Sequence, residues 1–247
     1  MPEFLDTPSG RRIAYHQVAG QGTGVVFLGG FKSDMEGSKA TALDAWARAE
    51  GRPFLRFDYS GHGASAGRFE EGAIGDWAED AQVAISTLTT GPQLLVGSSM
   101  GGWISLLMCT RMPERVAGLV TIAAAPDFTE DGFWASFDAD QRAELMDKGV
   151  VHVPSEYGEP YPITKRLIVD GRDHLVLRAP LNLPFPVRFL QGTEDTAVST
   201  ETALRLFDHA QGDDLRLMLV KGADHPFSTP DCLKTIEAAI CDVLARI

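Results

Sequence analysis

Ser99 stands at the centre of Gly97-Ser98-Ser99-Met100-Gly101, a match to the pattern G-x-S-x-G. A serine hydroxyl is a poor nucleophile at neutral pH and needs a base within hydrogen-bond reach to take its proton. The pentapeptide prepares such a serine when it directly follows a strand and opens a helix. The nucleophile then sits on a sharp, strained turn, and glycines are needed at both ends because larger side chains would collide across it. Gln93 to Gly97 (QLLVG) reads as that strand and Gly101 to Arg111 as that helix. Ser98 offers a neighbouring hydroxyl, but only Ser99 holds the central position.

Chains with a serine on such a turn order their triad as Ser, acid, His. Of the six histidines, His16 and His62 precede the serine, leaving His152, His174, His209 and His225. Only His225 follows the last predicted strand in a short turn, Lys221-Gly222-Ala223-Asp224-His225, from which a side chain reaches back over a sheet. His209 falls near the end of an amphipathic helix, where interaction with the helix dipole accounts for it. The acid belongs at a strand end between Ser99 and His225. Asp195, in Gln191-Gly192-Thr193-Glu194-Asp195, fits as the acceptor of the imidazole Nδ1–H, which fixes the tautomer and stabilises the imidazolium. Asp127 follows the preceding strand and is a rival for the same role. Glu194 and Asp224 read as solvated turn residues.

A tetrahedral intermediate also needs donors for its oxyanion. The backbone N–H after the nucleophile supplies one and a loop after an early strand the other, which here means Met100 and Phe31. Gly29-Gly30 lets that loop turn tightly enough to aim the Phe31 amide inward. Asp58-Tyr59-Ser60-Gly61-His62-Gly63 looks like a second site, but its glycines fit a tight turn after a strand and His62 reads as structural. No His/Asp/Glu spacing resembles a metal motif such as HExxH, so neither a metal nor a cofactor is expected.

These residues require an alternating scaffold, and the chain supplies one. Strands are expected over Arg11 to Ala19, Gly24 to Gly30, Pro53 to Tyr59, Val116 to Ala125, Val187 to Gln191 and Leu215 to Val220. Helices are expected over Glu36 to Glu50, Ile74 to Thr89, Thr200 to Ala210 and Pro230 to Ile247. Unbroken Val/Leu/Ile/Phe runs indicate strands buried on both faces of a parallel sheet, and their alternation with helices indicates a doubly wound α/β domain. Residues 127–186 break the rhythm: helical pieces near Asp138 to Lys148 and Thr164 to Val169 flank a Pro/Tyr/Gly-rich turn, with no clean strand. A segment of that size between core strands is too long for an ordinary loop and reads as a lid over the carboxyl ends of the strands. The whole, residues 1–247, reads as one domain.

Composition narrows the partners. The 34 acidic and 22 basic residues give a net charge of −12, which repels phosphate backbones and anionic lipid and so argues against nucleic acid. The longest apolar stretch, Val116 to Ala125, is far short of the roughly 18 residues of a membrane span. The first residues, MPEFLDTPSGRR, show no apolar core after a basic start, so no secretory signal is read. Three cysteines do not form a disulfide framework: Cys232 and Cys241 point to opposite faces of one helix and Cys109 to an apolar face. A reducing cytoplasm is the expected location.

The sequence resembles the α/β-hydrolase superfamily, and within it the palmitoyl-protein thioesterases of the α/β-hydrolase-domain group, mitochondrial enzymes also described as mycophenolic acid acyl-glucuronide esterases. Arg56-Phe57-Asp58-Tyr59-Ser60-Gly61 with Gly63, Ser65 and Gly67 carries the likeness, as does Gly97-Ser98-Ser99-Met100-Gly101-Gly102-Trp103. Gly37-Ser38-Lys39-Ala40 and Pro154-Ser155-Glu156-Tyr157 add weaker matches. The resemblance implies the triad Ser99, Asp195 and His225. It departs at the oxyanion loop, where Gly29-Gly30-Phe31 replaces the commoner His-Gly pair.

The expected activity is hydrolysis of carboxylic esters or thioesters through an acyl-enzyme, acting on a small ester, an acyl-thioester or an acylated protein. A serine-dependent carbon–carbon hydrolase would use the same triad, and a ligand-binding protein could retain the fold without the chemistry. Dehalogenases and epoxide hydrolases of this fold need an Asp nucleophile, which Ser99 argues against. In the insertion, Phe128, Phe133, Trp134, Phe137, Tyr157 and Tyr161 are expected to line an acyl channel or form the lid's own core. Lys165, Arg166 and Arg172 are the expected cations for an anionic leaving group. Oligomeric state is left open.

Overall fold

The computed structural model describes residues 1–155 and 158–247. Along the chain run β1 (Glu3–Asp6), β2 (Arg12–Val18), β3 (Val25–Leu28), α1 (Ser38–Ala49), β4 (Phe54–Phe57), α2 (Ile74–Leu88), β5 (Gln93–Ser98), α3 (Met100–Arg111) and β6 (Val116–Ile122). A long insertion follows, with a π-helical turn (Phe128–Trp134), α4 (Ala139–Lys148), β7 (Val150–Ser155), β8 (Gly158–Thr164), α5 (Lys165–Gly171) and β9 (Leu181–Asn182). Then come β10 (Val187–Gly192), α6 (Thr200–His209), β11 (Ala210–Gln211), β12 (Leu215–Val220) and α7 (Pro230–Leu244).

The central sheet has the order β1-β2-β4-β3-β5-β6-β10-β12. The first two pairings are antiparallel and the rest parallel. Its middle strands are apolar throughout because both faces are covered; all residues of β3, β5 and β10 are buried. Successive side chains divide between two cores, as a period of two demands. Val26, Leu28 and Leu95 join the core under α2, α3 and α6, whereas Val25, Phe27, Leu94 and Val96 join that under α1 and α7. The chain moves outward from β3 to β4 and then returns across it to β5. The carboxyl ends of β3 and β5 therefore flank a topological switch point, where open α/β sheets leave a crevice.

The alternating elements appear where apolar periodicity places them, but the insertion differs. Residues expected to form a turn without strands instead build the antiparallel hairpin of β7 and β8, with Val151 opposite Ile163 and Val153 opposite Tyr161. Prolines 154, 160 and 162 disguise it, since proline usually marks a turn. In a two-stranded ribbon each strand has an open edge, and there a missing N–H costs nothing. The N-terminal strand β1 also lacks an apolar run; it pairs with β2 at the sheet edge, with Phe4 exposed. Tyr157 and Glu156 lie outside the described residues. Among the described residues no helix is long and apolar enough to cross a membrane.

Candidate active site

Ser99 leaves the carboxyl end of β5 with φ 54° and ψ −118°, a conformation that costs a non-glycine residue about 1–3 kcal/mol. Backbone bonds on both sides hold it there. The Ser99 amide donates to the Ile122 carbonyl at 2.9 Å, and the Ser99 carbonyl accepts from Gly102 at 2.9 Å and Ala125 at 3.1 Å. Packing explains the flanking glycines. A Cβ on Gly97 would overlap the Gly101 carbonyl, and one on Gly101 would overlap the Leu28 carbonyl of the neighbouring strand. The strain is not isolated. Lys32, Ala123, Asp127 and Phe227 also take positive φ, and all lie in loops leaving the carboxyl ends of β3, β6 and β12.

His225 and Asp195 are brought together from two of these loops. The imidazole Nδ1 lies 2.9 Å from Asp195 Oδ2, with the carboxylate fully buried and the imidazole partly exposed. Asp195 Oδ2 also accepts from Gln191 Nε2 at 3.0 Å, and Oδ1 accepts from the Ala197 and Val198 amides at 2.9 and 2.8 Å. Burial works against the charge, but donation from His225, the Val198 amide and Gln191 outweighs it and holds the carboxyl below its ordinary range. With every donor aimed at the anion, Nδ1 must carry its proton toward Asp195, which leaves Nε2 as the basic nitrogen.

The rival Asp127 is engaged elsewhere. Its fully buried carboxylate accepts from the Val176 and Leu177 amides at 2.8 and 3.0 Å and from Arg178 at 2.9 Å, fastening the end of the insertion to the loop after β6. The other histidines have their own partners: His16 meets Glu36, His174 meets Asp170 and Arg111, and His209 meets the Ala179 carbonyl. His152 is exposed on β7. Asp224 caps its own turn by accepting from the Phe227 amide, and Glu194 is exposed.

Ser99 and His225 line one cavity of about 680 Å³ at the switch point. One side is aromatic. Phe31 is its hub, with ring centroids 4.8 Å from Phe69, 5.5 Å from Phe128, 5.7 Å from Tyr161 and 6.1 Å from Phe133, mostly edge-on. Of the aromatics expected from the insertion, Phe128, Phe133 and Tyr161 reach the cavity. Phe137 is buried in the core instead, and Trp134 lies beneath the Arg142 and Arg172 guanidiniums. The expected cations do not reach it either. Arg166 binds Asp76, Arg172 binds Glu130, and Lys165 points to the Met146 carbonyl. The cavity's cations are Lys32 and Lys39, from the loop after β3 and the first turn of α1. Neither announces itself in sequence as a site residue, because both reach the cavity through tertiary placement.

Comparison with known proteins agrees with this architecture. The serine aminopeptidase S33 hydrolase family model matches residues 24–154, the part that carries Ser99. Bovine mitochondrial palmitoyl-protein thioesterase ABHD10 is 33% identical over 246 residues, covering 99% of this chain and 80% of its own length. The chain is an α/β-hydrolase of the ABHD10 thioesterase family. The mouse α/β-hydrolase domain-containing protein 10 superposes with a TM-score of 0.92 at 31% identity, covering 99% of this chain and 98% of its own. A putative hydrolase from Agrobacterium vitis S4 gives 0.94 at 36%, with the same coverage.

Of the two residues whose amides are expected to bind an oxyanion, Met100 directly follows Ser99 and Phe31 follows Gly30, which packs against Ser99. Met100 opens α3, where the first N–H groups have no intrahelical acceptor. Gly30, just before Phe31, comes so close that a Cβ on it would lie 3.4 Å from Ser99 Cβ. The Asp58 loop is structural. Asp58 accepts from the Met35 and Ala64 amides at 2.6 and 2.8 Å, bracing the loop after β3. His62 is buried among Tyr59, Phe69 and Trp77, with desolvation pushing its pKa down to about 4, so it is neutral.

Proposed function

We propose that this chain hydrolyses carboxylic esters and thioesters through an acyl-enzyme on Ser99. The observation that carries the reading is the 2.9 Å His225–Asp195 contact, formed over the same cavity into which the strained Ser99 opens. His225 Nε2 takes the Ser99 proton as Oγ attacks the carbonyl carbon. The Met100 and Phe31 amides receive the oxyanion, and the imidazolium, stabilised by Asp195, returns the proton to the leaving group. Water then repeats the sequence on the acyl-enzyme, releasing the acid and restoring Ser99.

A thioester suits this machinery. Its carbonyl has weaker resonance than an oxyester, and its thiolate leaves with little protonation because a cysteine thiol has a pKa of about 8.5. The Phe31, Phe128, Phe133 and Tyr161 wall supplies an apolar surface for an acyl chain, and insertion 127–186 serves as the lid of a single catalytic domain. Relatives named as palmitoyl-protein thioesterases support a long acyl group on a thiol. An acyl glucuronide is a weaker expectation, resting on family resemblance alone. Three free cysteines suit a reducing compartment such as the cytoplasm; the relatives are named as mitochondrial.

A fluorophosphonate probe should label the wild-type protein and leave Ser99→Ala unlabelled. Among active substrates, kcat/KM should be compared across acyl chain lengths for matched thioesters and oxyesters, with one acyl glucuronide. Negligible turnover of all three by protein whose Ser99 still labels would overturn the substrate assignment and favour carbon–carbon bond hydrolysis.

A further inference from the structure

Lys39 occupies an unusual place for a cation. It sits in the first turn of α1, where the helix dipole disfavours positive charge, and no acidic residue shares that turn. Its side chain is half-buried in the cavity wall, and its ammonium donates to the Pro226 carbonyl, on the residue directly after His225. That carbonyl belongs to a strained loop: Phe227 turns back with φ 48° while its ring is fully buried in the core beneath α1 and α7. The His225 loop is thus held by Asp224 at its own turn, by Phe227 in the core and by Lys39 from the opposite wall.

We infer that Lys39 is a positioning residue of the triad: by clamping the Pro226 carbonyl with a charged donor it fixes where His225 stands over Ser99. A charge-assisted hydrogen bond is roughly twice as strong as a neutral one, and displacements of about 1 Å in a catalytic constellation cost up to ~100-fold in rate. The inference rests on the triad proposed above. The groups facing the ammonium are Asp195 from the loop after β10, Asp224 and His225 from the loop after β12, and Cys232 from α7. Lys32, Asp34 and Tyr161 lie on the remaining walls of the cavity. Burial pushes the Lys39 pKa down to about 8, with the Asp224 and Asp195 carboxylates only partly offsetting it. The clamp therefore weakens within an accessible pH range.

The test is the pH profile of ester hydrolysis by wild type, Lys39→Met and Lys39→Arg, with Ser99→Ala as reference and melting curves for each. Wild-type kcat/KM should fall above about pH 8. Lys39→Met should lower kcat about tenfold with KM nearly unchanged and should lack the alkaline fall. Lys39→Arg, charged at every pH tested, should recover part of kcat and also lack the fall. A wild type flat above pH 8, a Lys39→Met enzyme within twofold of wild type, or a Lys39→Met effect confined to KM would each overturn the inference. The wild-type profile decides even if Lys39→Met fails to fold. Activity that survives in Ser99→Ala would instead remove the triad reading itself, so the two failures are distinguishable.

Discussion

Replacing Asp195 by Asn changes one oxygen for an amide nitrogen and should cost about four orders of magnitude in kcat. The structure explains why so small a change matters. Asp195 Oδ1 accepts from the Ala197 and Val198 amides, so the Asn oxygen must stay on that side and its NH2 must replace Oδ2. There it faces two former donors, His225 Nδ1 and Gln191 Nε2. Gln191 has only a costly escape, because flipping its amide to present the unpartnered Oε1 to the new NH2 gives up the Nε2 bond to the Val198 carbonyl at 2.9 Å. His225 has none: Nδ1 must become an acceptor, which moves the proton to Nε2 and removes the base that Ser99 needs. A wrong tautomer of this kind lowers kcat by ~10⁴, or about 5 kcal/mol of transition-state stabilisation. The fold should survive, with the melting temperature changed little. Asp127→Asn supplies the contrast. It weakens acceptors for Val176, Leu177 and Arg178, each worth about 1–3 kcal/mol, so it should lower the melting temperature by several degrees. Turnover per folded molecule should stay within about threefold. Steady-state hydrolysis of a p-nitrophenyl ester, normalised to the native fraction from calorimetry, reads both. A catalytic loss larger in Asp127→Asn than in Asp195→Asn would refute the assignment.

Ser99→Ala should retain its melting temperature while losing nearly all ester hydrolysis, with residual turnover about a thousandfold above water from the oxyanion donors; full activity would end the proposal. Gly101→Ala should destabilise the protein by about 1–3 kcal/mol or more and abolish probe labelling, because its Cβ meets the rigid Leu28 and Gly29 carbonyls. Gly132→Ala, whose Cβ would make an ordinary 3.7 Å contact with Phe128, should label normally. The His62 pKa is about 4 when folded against 6.5 when free, so the unfolded chain binds the extra proton. Stability should fall as pH drops from about 6.5 toward 4, by up to about 1.4 kcal/mol per unit from this residue. Thermal melts at pH 7 and pH 5 measure it, and His62→Gln should flatten the dependence.

The Ser99 turn was legible because Gly97–Gly101 lies between an apolar strand and an apolar helix, so local pattern alone fixes it. The parallel strands were legible for a related reason: burial on both faces leaves unbroken runs such as VVFL and LLV. Chain order and strand ends favour Asp195 over Asp127 in the sequence, and the structure adds what separates them physically: Asp195 meets His225, whereas Asp127 fastens the insertion. The β7–β8 hairpin was hidden by prolines tolerated on open edges. Lys39 and the Phe31 ring were invisible as site residues for another reason. A lysine in a helix and an aromatic after two glycines acquire meaning only when loops distant in sequence close around them.

The parts of the proposed triad are spread along the chain in an order that matters during synthesis. The nucleophile and both oxyanion amides lie at the ends of β3 and β5, which emerge early. The acid and the base wait for β10 and β12, and β12 pairs in the main sheet with β10 alone. A domain generally folds as a unit, and the Ser99 turn is itself held by the Ile122 and Ala125 backbone, so its geometry is completed only with the rest of the sheet. A nascent chain would thus carry Ser99 with neither its turn set nor its base in place. Reactivity would switch on in one step when the last strand docks, making probe labelling of Ser99 a reporter of completed folding rather than of the nucleophile's own segment.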